Sequence, residues 1–300
     1  MATTLDINTD FIGDALTDYQ ARVIKEANTI SQGLVRVLPN IKNNAYVRKV
    51  ETETGFTDYA CGWNPLGSIA LSERQLVLRK IKWDSEVCKE DFVQLWTAQQ
   101  MGFSAHNDRL PETERVAILE DMARRVARKI DADIWEGDGL DGNFAGVIPA
   151  LLLDGDVIDV ATPVAITSAN VEAELGKFID AIPDELIVSD GYKMGVSTNV
   201  IRALKKLYGT QARTNGTFLK PNEAEFDGYT LTEIKAFSAN TMLGYNPSQI
   251  YFGTGLLDDM SEVRIKDMDD SDLSGTIRMK YVMTGGVQYA FGGEIVLYRA

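Results

Sequence analysis

Cysteine and histidine are scarce in this sequence, which removes several kinds of chemistry at once. The two cysteines, Cys61 and Cys88, are too few for a disulfide framework, and neither has the CxxC or Cys/His spacing of a zinc site. The only histidine is His106, in a polar segment beside Asn107 and Asp108. Every catalytic arrangement built on histidine would depend on that one residue, so we interpret it as a surface or capping histidine.

Positive charge and long hydrophobic runs are also in short supply. The 30 lysines and arginines are outnumbered by 44 aspartates and glutamates, which leaves a net charge of −14. A field of that sign repels a nucleic-acid backbone and argues against a dedicated DNA-binding role. The densest apolar run, 147–153, contains Pro149 and falls far short of the roughly 18 residues of a membrane span. The N-terminal MATTLDINTDF has no basic residue before an apolar core, so we expect no secretory signal.

Sequence motifs for catalysis or cofactor binding are almost absent. No GxxxxGK[ST] or GxSxG occurs, and the GxGxxG spacing is formed by Gly137, Gly139 and Gly142. That motif follows a helical pattern instead of a strand, and it carries Asp138 and Asp141 where a pyrophosphate needs positive potential. We therefore interpret it as a helix stop and turn, and we predict no catalytic residue, no cofactor and no metal ion.

Two acidic clusters remain as candidates for metal binding or proton transfer. The segment 267–272 lacks the glycine and the terminal glutamate of a calcium loop, and Asp154 with Asp156 has no third ligand at a matching interval. Each cluster is typical of a solvated turn. Carboxylates that meet only in the folded chain leave no spacing signature, so a soluble carboxylate-dependent enzyme stays open as an alternative.

Of the 300 residues, 45% are hydrophobic and 25% are charged, which is enough to bury the core of one large domain or two lobes. Apolar residues fall at helical spacing over 19–30, and two extended segments follow at 45–54 and 68–83.

The loop 55–67 between the two extended segments is long and unusually aromatic for a hairpin connection. We hypothesise that this loop contacts a neighbouring subunit; the alternative is that its rings pack on their own domain. The proposed intersubunit contacts are Phe56, Tyr59, Trp63 and Pro65.

The clearest element is a long helix. Pro111 marks its first turn, and the pattern predicts a helix from Glu112 to Trp135, about 36 Å at 1.5 Å per residue. One apolar stripe runs along it at spacings of three and four, which predicts a structural spine with one face on the core. The stripe consists of Val116, Leu119, Ala123, Val126, Ile130 and Ile134.

The rest of the chain alternates between helical and strand patterns, which indicates a mixed α/β lobe followed by a β segment. The predicted elements of the lobe are a helix over 170–181, a strand over 186–189, a helix over 192–208, and strands over 228–236 and 249–253. The last segment, 276–298, is predicted as two strands joined through Gly285-Gly286, with a surface loop over 266–272 before them.

Taken in order, these elements resemble the major capsid proteins of tailed bacteriophages, whose fold is named after phage Hong Kong 97. The resemblance covers essentially the whole chain and rests on the order of its segments. They are WEGDG at 135–139, GVI at 146–148, IVSDGYKMGVSTNVIRALKKLYG, FDGYTLTEIKAF, IYFGTG and the terminal GGVQYAFGGEIVLYR.

The resemblance implies an α+β Hong Kong 97-type capsid fold with an N-arm, an extended β-hairpin E-loop, a long spine helix, and peripheral and axial domains. The implied N-terminal arm spans 1–44, and the E-loop hairpin spans 45–83. The peripheral domain with the spine helix spans 84–145, the axial domain 146–260, and a C-terminal β segment at 261–300 returns to the peripheral domain.

The function implied by the resemblance is structural. The chain would assemble with itself, as hexamers and pentamers, into an icosahedral head shell that encloses double-stranded DNA without sequence-specific binding and without a membrane. Scaffolding, portal and decoration proteins are the further partners it allows. The shell would form in the host bacterial cytoplasm and leave in the virion. An encapsulin, a bacterial nanocompartment shell of the same fold, is the nearest alternative, and enzyme cargo in place of DNA would distinguish it.

Some features depart from the family pattern. We expect no fused scaffolding segment, and Gly292-Gly293-Glu294 stands where many members have a proline-containing turn before the last strand. In the family's namesake, a lysine on the E-loop is cross-linked to an asparagine of a neighbouring subunit, aided by a glutamate. This sequence has no lysine between Lys49 and Lys80. We therefore predict a shell that is held together without covalent cross-links.

Overall fold

The computed structural model of the chain describes residues 28–42, 44–53, 55–59, 61–63, 66–92, 112–215, 224–255, 263–268 and 274–300. The description covers the backbone alone at 91–92, 112–117, 119, 211–215 and 263. His106, Pro111 and most of the helix predicted over 19–30 lie outside the described residues.

The described chain begins with strands, alternates between helices and strands in its middle, and ends in a series of strands. The strands are β1 (Arg36–Leu38), β2 (Asn44–Glu53), β3 (Ser68–Val77), β4 (Arg79–Cys88), β5 (Ile158–Asp159), β6 (Lys193–Val196), β7 (Glu225–Phe226), β8 (Tyr229–Glu233), β9 (Thr241–Tyr245), β10 (Ile250–Thr254), β11 (Val263–Asp267), β12 (Thr276–Tyr289) and β13 (Val296–Arg299). The α-helices are α1 (Glu112–Glu136), α2 (Val147–Leu151), α3 (Val171–Asp180), α4 (Asp184–Ile187) and α5 (Thr198–Asn215).

The first sheet is organised around the long strand β12. Its order is β1-β10-β12-β11, and β4 also pairs with β12. Residues Ile277 to Tyr281 pair with both β4 and β11, so these two strands lie on opposite edges of β12. Ile277, Met279, Tyr281 and Met283 are buried and alternate with more exposed residues, as expected for a strand with one face on the core.

The second sheet has the order β5-β13-β9-β6-β8-β7. β6 and β8 are parallel, and α5 provides the crossover between them. The sheet separates two hydrophobic clusters, because neighbouring residues of its central strands point to opposite faces. Leu243 and Leu297 belong to the cluster shared with α1, α2 and the first sheet. Met242, Val296 and Tyr298 belong to the cluster beneath α3 and α5.

The N-terminal segment docks on α1 through buried polar groups. The backbone N–H of Thr29 donates to Asp131 Oδ1 at 2.9 Å, and Trp135 Nε1 donates to Thr29 Oγ1 at 2.7 Å. Asn28 Nδ2 donates to the carbonyl oxygen of Glu233 at 2.8 Å. Residues 29–33 form turns, so the end of the helix predicted over 19–30 is wrong where it is described.

Glycine ends α1 by allowing close backbone approach. The Gly137 N–H donates to the Asp133 carbonyl at 3.2 Å, and the Gly146 N–H donates to the Gly137 carbonyl at 2.8 Å. A Cβ at Gly137 would meet the Phe144 carbonyl oxygen, and one at Gly146 would lie 2.5 Å from the Gly137 nitrogen. The predicted helix stop and turn is confirmed, because only glycine lets the loop fold back onto the helix end.

Two predicted elements near the lobe's centre are wrong in type or extent. Residues 186–189 do not form a strand: Leu186 and Ile187 lie in α4, which begins after Pro183. Acidic residues occupy the first turn of α4, where their negative charge interacts favourably with the positive end of the helix dipole. The helix predicted over 192–208 begins only at Thr198, because Lys193–Val196 forms β6 between β8 and β9. The helix predicted over 170–181 is confirmed as α3.

The segment predicted as one strand over 68–83 is two strands with different partners. The strand is interrupted at Leu78, which belongs to neither of them. β3 pairs with β2 in the expected hairpin, whereas β4 continues to Cys88 and pairs with β12 in the first sheet. The change of partner strand cannot be inferred from the local sequence, because apolar and polar residues alternate in both strands.

The predicted turn at Gly285-Gly286 is also wrong, since β12 runs straight through it. A Cβ at Gly286 would meet the Val77 carbonyl oxygen, and one at Gly285 would lie 2.9 Å from a ring carbon of Phe144. These glycines allow close packing inside a strand. The chain instead turns through a 3-10 helix at Gly292–Glu294 and enters the second sheet as β13. The division of the chain into five domains stays a prediction.

Candidate intersubunit surface

The hairpin has two faces of different character. β2 and β3 pair antiparallel over ten residue pairs, and directly opposed residues share a face. The inner face carries the pairs Ala45–Leu76, Val47–Arg74, Lys49–Ser72, Glu51–Ala70 and Glu53–Ser68. The outer face carries the pairs Asn44–Val77, Tyr46–Gln75, Arg48–Glu73, Val50–Leu71 and Thr52–Ile69.

The base of the inner face lies on the subunit's own body. Val47 and Leu76 are buried there, although both belong to a separate two-stranded sheet. A Cβ at Gly253 would lie 2.6 Å from Leu76 Cδ2, so the leucine packs directly on the backbone of β10. Gln288 Nε2 donates to the Gln75 carbonyl at 2.9 Å and adds a polar contact at the same place.

Three residues, which we call the hairpin clamp, fasten this base to the body. Arg74 Nη2 lies 2.6 Å from Asp154 Oδ2, and the guanidinium carbon lies 4.5 Å from the ring centroid of Tyr289. Tyr289 Oη donates to the same Asp154 oxygen at 2.7 Å. Burial alone would raise the pKa of Asp154, but the hydrogen bonds from Tyr289 and Arg74 outweigh it and lower that pKa. Burial and the hydrogen bond to Asp154 raise the pKa of Tyr289 to about 12.

Lys49 also faces the body. Its Nζ lies 5.1 Å from the ring centroid of Phe291 and 3.3 Å from Glu51 Oε1, and its side chain is only 11% exposed. Lys80 lies in β4, opposite Thr284 of β12. Lys49 thus lies in the middle of the hairpin strands with its amine against the subunit's own body, and Lys80 lies outside the hairpin.

The loop at the distal end of the hairpin exposes three large rings. Phe56 is 94% exposed, Tyr59 94% and Trp63 93%. None of the three packs on its own domain in this structure. Pro65, the fourth predicted contact, lies outside the described residues. Contact with a neighbouring subunit stays a prediction for all four.

Sequence analysis missed the apolar residues of the hairpin strands themselves. They are exposed, and all lie on the outer face: Tyr46, Val50, Ile69, Leu71 and Val77. The signal was present in the alternation Ser-Ile-Ala-Leu-Ser at 68–72. It could be used only with the register of β2 against β3, which shows that the exposed apolar residues of both strands share one face.

The predicted spine helix packs as expected over its C-terminal half, with one exception. Val126, Ile130 and Ile134 are buried. Ala123 is exposed, and Met122 is buried in its place, because steps of four residues from Ile134 lead back to Met122. The side chains of Val116 and Leu119 lie outside the described ones.

The segments considered for chemistry have structural roles where they are described. Asp138 Oδ1 accepts hydrogen bonds from the Leu140 N–H at 3.0 Å and from Asn143 Nδ2 at 2.6 Å. The hydrogen bond from Asn143 is the main cause of the lowered pKa of Asp138. Asp154 belongs to the hairpin clamp, and its second oxygen accepts from the Asp156 N–H at 3.2 Å. Across the described residues, no group of three or more potential metal-ligating side chains comes together.

Comparison with solved structures finds capsids over nearly the whole chain. The capsid of a native GTA particle superposes with a TM-score of 0.66 at 11% identity, covering 96% of this chain and 95% of that one. The capsid of Myoviridae phage XM1 gives 0.60 at 13% identity, covering 99% and 98%. A chain from Mycobacterium phage Che8 gives 0.54 at 11% identity, covering 96% and 97%. The chain has a Hong Kong 97-type capsid fold.

This capsid fold was the one that the resemblance implied, so that prediction is confirmed. No family model matches the sequence, and no curated protein matches it. No helix in the described part of this capsid fold is long and apolar enough to cross a membrane. Among the residues that the structure describes, the three most exposed large hydrophobic side chains, Phe56, Tyr59 and Trp63, lie in the loop of this hairpin.

Proposed function

We propose that this chain is the major capsid protein of a tailed bacteriophage. Copies would assemble as hexamers and pentamers into the icosahedral head shell, with the hairpin acting as the E-loop that reaches a neighbouring subunit. The observation that carries this proposal is the exposure of Phe56, Tyr59 and Trp63 at the end of a hairpin on a capsid fold. Aromatic surface of that size gains free energy when a second protein covers it.

The charge of the chain suits a wall around packaged DNA. With a net charge of −14, the subunit repels the phosphate backbone. Such a wall would enclose double-stranded DNA without sequence-specific binding. The protein acts as a building unit and not as an enzyme. It would assemble in the host cytoplasm and leave in the virion, with scaffolding, portal and decoration proteins as further partners.

Electron microscopy of the purified protein tests the proposal. We expect shells, tubes or capsomers. Small discrete oligomers without any of these forms would contradict a capsid role and favour the carboxylate-dependent enzyme. Shells that co-purify with an enzyme cargo in place of DNA would favour the encapsulin.

A loop replacement tests the role of the distal rings. Because Glu53 and Ser68 are directly opposed, residues 54–67 can be replaced by Asn-Gly, which closes a two-residue hairpin turn. We expect an unchanged circular dichroism spectrum and a subunit that no longer completes shells. Intact shells from this variant would contradict the contact, and global unfolding would show that the rings stabilise their own subunit.

A further inference from the structure

One stretch of α1 has the opposite charge to the chain as a whole. Residues 122–130 contain four basic residues and no acidic one, in a chain whose net charge is −14. We call these four residues the helix strip: Arg124, Arg125, Arg128 and Lys129. All four are exposed. The helix strip is therefore a local positive surface on a negatively charged subunit.

The most prominent members of the helix strip point away from the subunit's core. Arg124 and Arg128 each lie two residues from the buried Val126, which is about 200° around a helix of about 3.6 residues per turn. Ala123 and Ala127, exposed beside them, have side chains too short to keep a partner at a distance. A large partner can thus approach both arginines at once.

The ion pairs within α1 leave part of this charge available. Arg124 lies 3.4 Å from Glu120, and both side chains are more than half exposed, so water competes for the pair. Arg128 has no ion-pair or hydrogen-bond partner in the part of the chain that the structure describes. Arg125 and Lys129 have closer carboxylate partners, each at 2.6 Å. Arg124 and Arg128 are therefore the cations that an external anion meets first.

Double-stranded DNA fits the helix strip better than a protein surface does. The core of a protein interface is rich in aromatic and other large apolar side chains, whereas the exposed apolar residues within 122–130 are two alanines. Phosphate contacts need no such core, because they depend on charge. The five-residue step from Arg124 to Lys129 rises about 7.5 Å, and a duplex carries about four phosphate charges in that length. The four cations match that charge density.

The net charge of the subunit does not cancel this attraction at short range. At physiological ionic strength, interactions between exposed charges are largely screened beyond about 8 Å. Phosphates in contact with the helix strip therefore interact mainly with its cations, while acidic residues elsewhere on the subunit are screened. The resulting contact is weak and sensitive to salt, which suits DNA that is confined by the shell and must later leave it.

We infer that the helix strip is the surface that this subunit turns toward enclosed double-stranded DNA, where it contacts phosphates without reading the sequence. The inference rests on the proposed capsid function and specifies which side of the subunit lines the interior. The apolar stripe of α1 and the buried face of β12 belong to one hydrophobic cluster. The exposed face of the first sheet lies on the other side of that cluster and would face outward.

Two matched double variants test the assignment. Arg124→Gln with Arg128→Gln removes two charges from the helix strip, whereas Lys266→Gln with Lys280→Gln removes two from the exposed face of the first sheet. All four positions are exposed, and circular dichroism verifies that both variants fold. Fluorescence anisotropy measures binding to a duplex of about 20 base pairs, starting at about 20 mM salt.

We expect the helix-strip variant to bind the duplex about tenfold more weakly than wild type at low salt. The slope of log affinity against log salt should fall in magnitude by about 1.8, which is the effect of losing two phosphate contacts. The sheet variant should bind within about twofold of wild type, because its charge change is the same but lies on the other side.

Each other result overturns the assignment. No binding by wild type would show that the helix strip does not attract DNA, and equal losses in both variants would show an effect of net charge alone. A loss confined to the sheet variant would turn the opposite side of the subunit toward the DNA. Polyglutamate that binds the helix strip more tightly than the duplex, at equal concentration of charge, would make an acidic protein segment the partner instead.

Electron microscopy of the wild-type protein separates this inference from the proposed function. Shells formed by a subunit that does not bind the duplex would contradict the inference alone. A subunit that binds the duplex through the helix strip but forms no shell, tube or capsomer would contradict the capsid role.

Discussion

Asp154 determines whether the hairpin clamp holds, because it accepts hydrogen bonds from both Arg74 and Tyr289. Its pKa is lowered in the folded state, so its ionised form stabilises the fold above the unfolded pKa of about 4. That contribution is lost as the pH falls through the still lower folded pKa. We predict that Asp154→Asn lowers the melting temperature at pH 7, and that the difference from wild type shrinks below about pH 4.

The matched control for this prediction is Asp156→Asn, two residues away and exposed. It should leave the melting temperature nearly unchanged over the same pH range. Hydrogen exchange at β2 and β3 provides a second measurement, since a released clamp should speed exchange at the hairpin base. Identical pH profiles for the two variants would show that Asp154 does not hold the hairpin.

Single residues of the site differ in how far the sequence predicts them. The rings of Phe56, Tyr59 and Trp63 stand out because aromatic residues are rare in loops. The clamp leaves no such signal, since Arg74 and Asp154 are 80 residues apart and each is ordinary in its own segment. A contact of that kind exists only after the body and the hairpin have been placed together.

Among the elements, α1 gives the sharpest test of the spine assignment. Val126→Asp would place an unpaired charge among buried side chains, which costs about 3–5 kcal/mol. We predict loss of soluble folded protein, or a correspondingly lower free energy of unfolding in urea. Ala123→Asp is the control on the exposed side of the same helix and should change that free energy by less than about 0.5 kcal/mol. A Val126→Asp subunit that folded and assembled normally would rule out the spine.

Elements with a local signature were predictable, and elements defined by a distant partner were not. The stripe of α1 and the alternation of β2 are contained in their own residues, and these two elements were predicted close to their observed bounds. The pairing of β4 with β12 joins segments nearly two hundred residues apart. Gly285 and Gly286 were misread because packing against Phe144 and Val77 requires glycine as much as a turn does.

At the scale of the whole molecule, the structure bears on how a shell would be held together. Lys49 is packed against Phe291 with its side chain 11% exposed, and Lys80 is fixed in the β4–β12 ladder. No lysine occurs in between. We therefore predict that mature particles, boiled and reduced, run as a single band near 33.1 kDa. A ladder of oligomers that resists reductant would contradict this and would implicate Lys49 or Lys80.

The junction of β3 and β4 at Leu78 has a mechanical consequence for a shell under internal pressure. Tension on the hairpin would pass through Leu78 into β4, because a single residue separates the two strands. β4 is joined to β12 by ten antiparallel residue pairs, whereas β3 is paired with β2. A load taken up by the hairpin would therefore be carried by the first sheet of the same subunit.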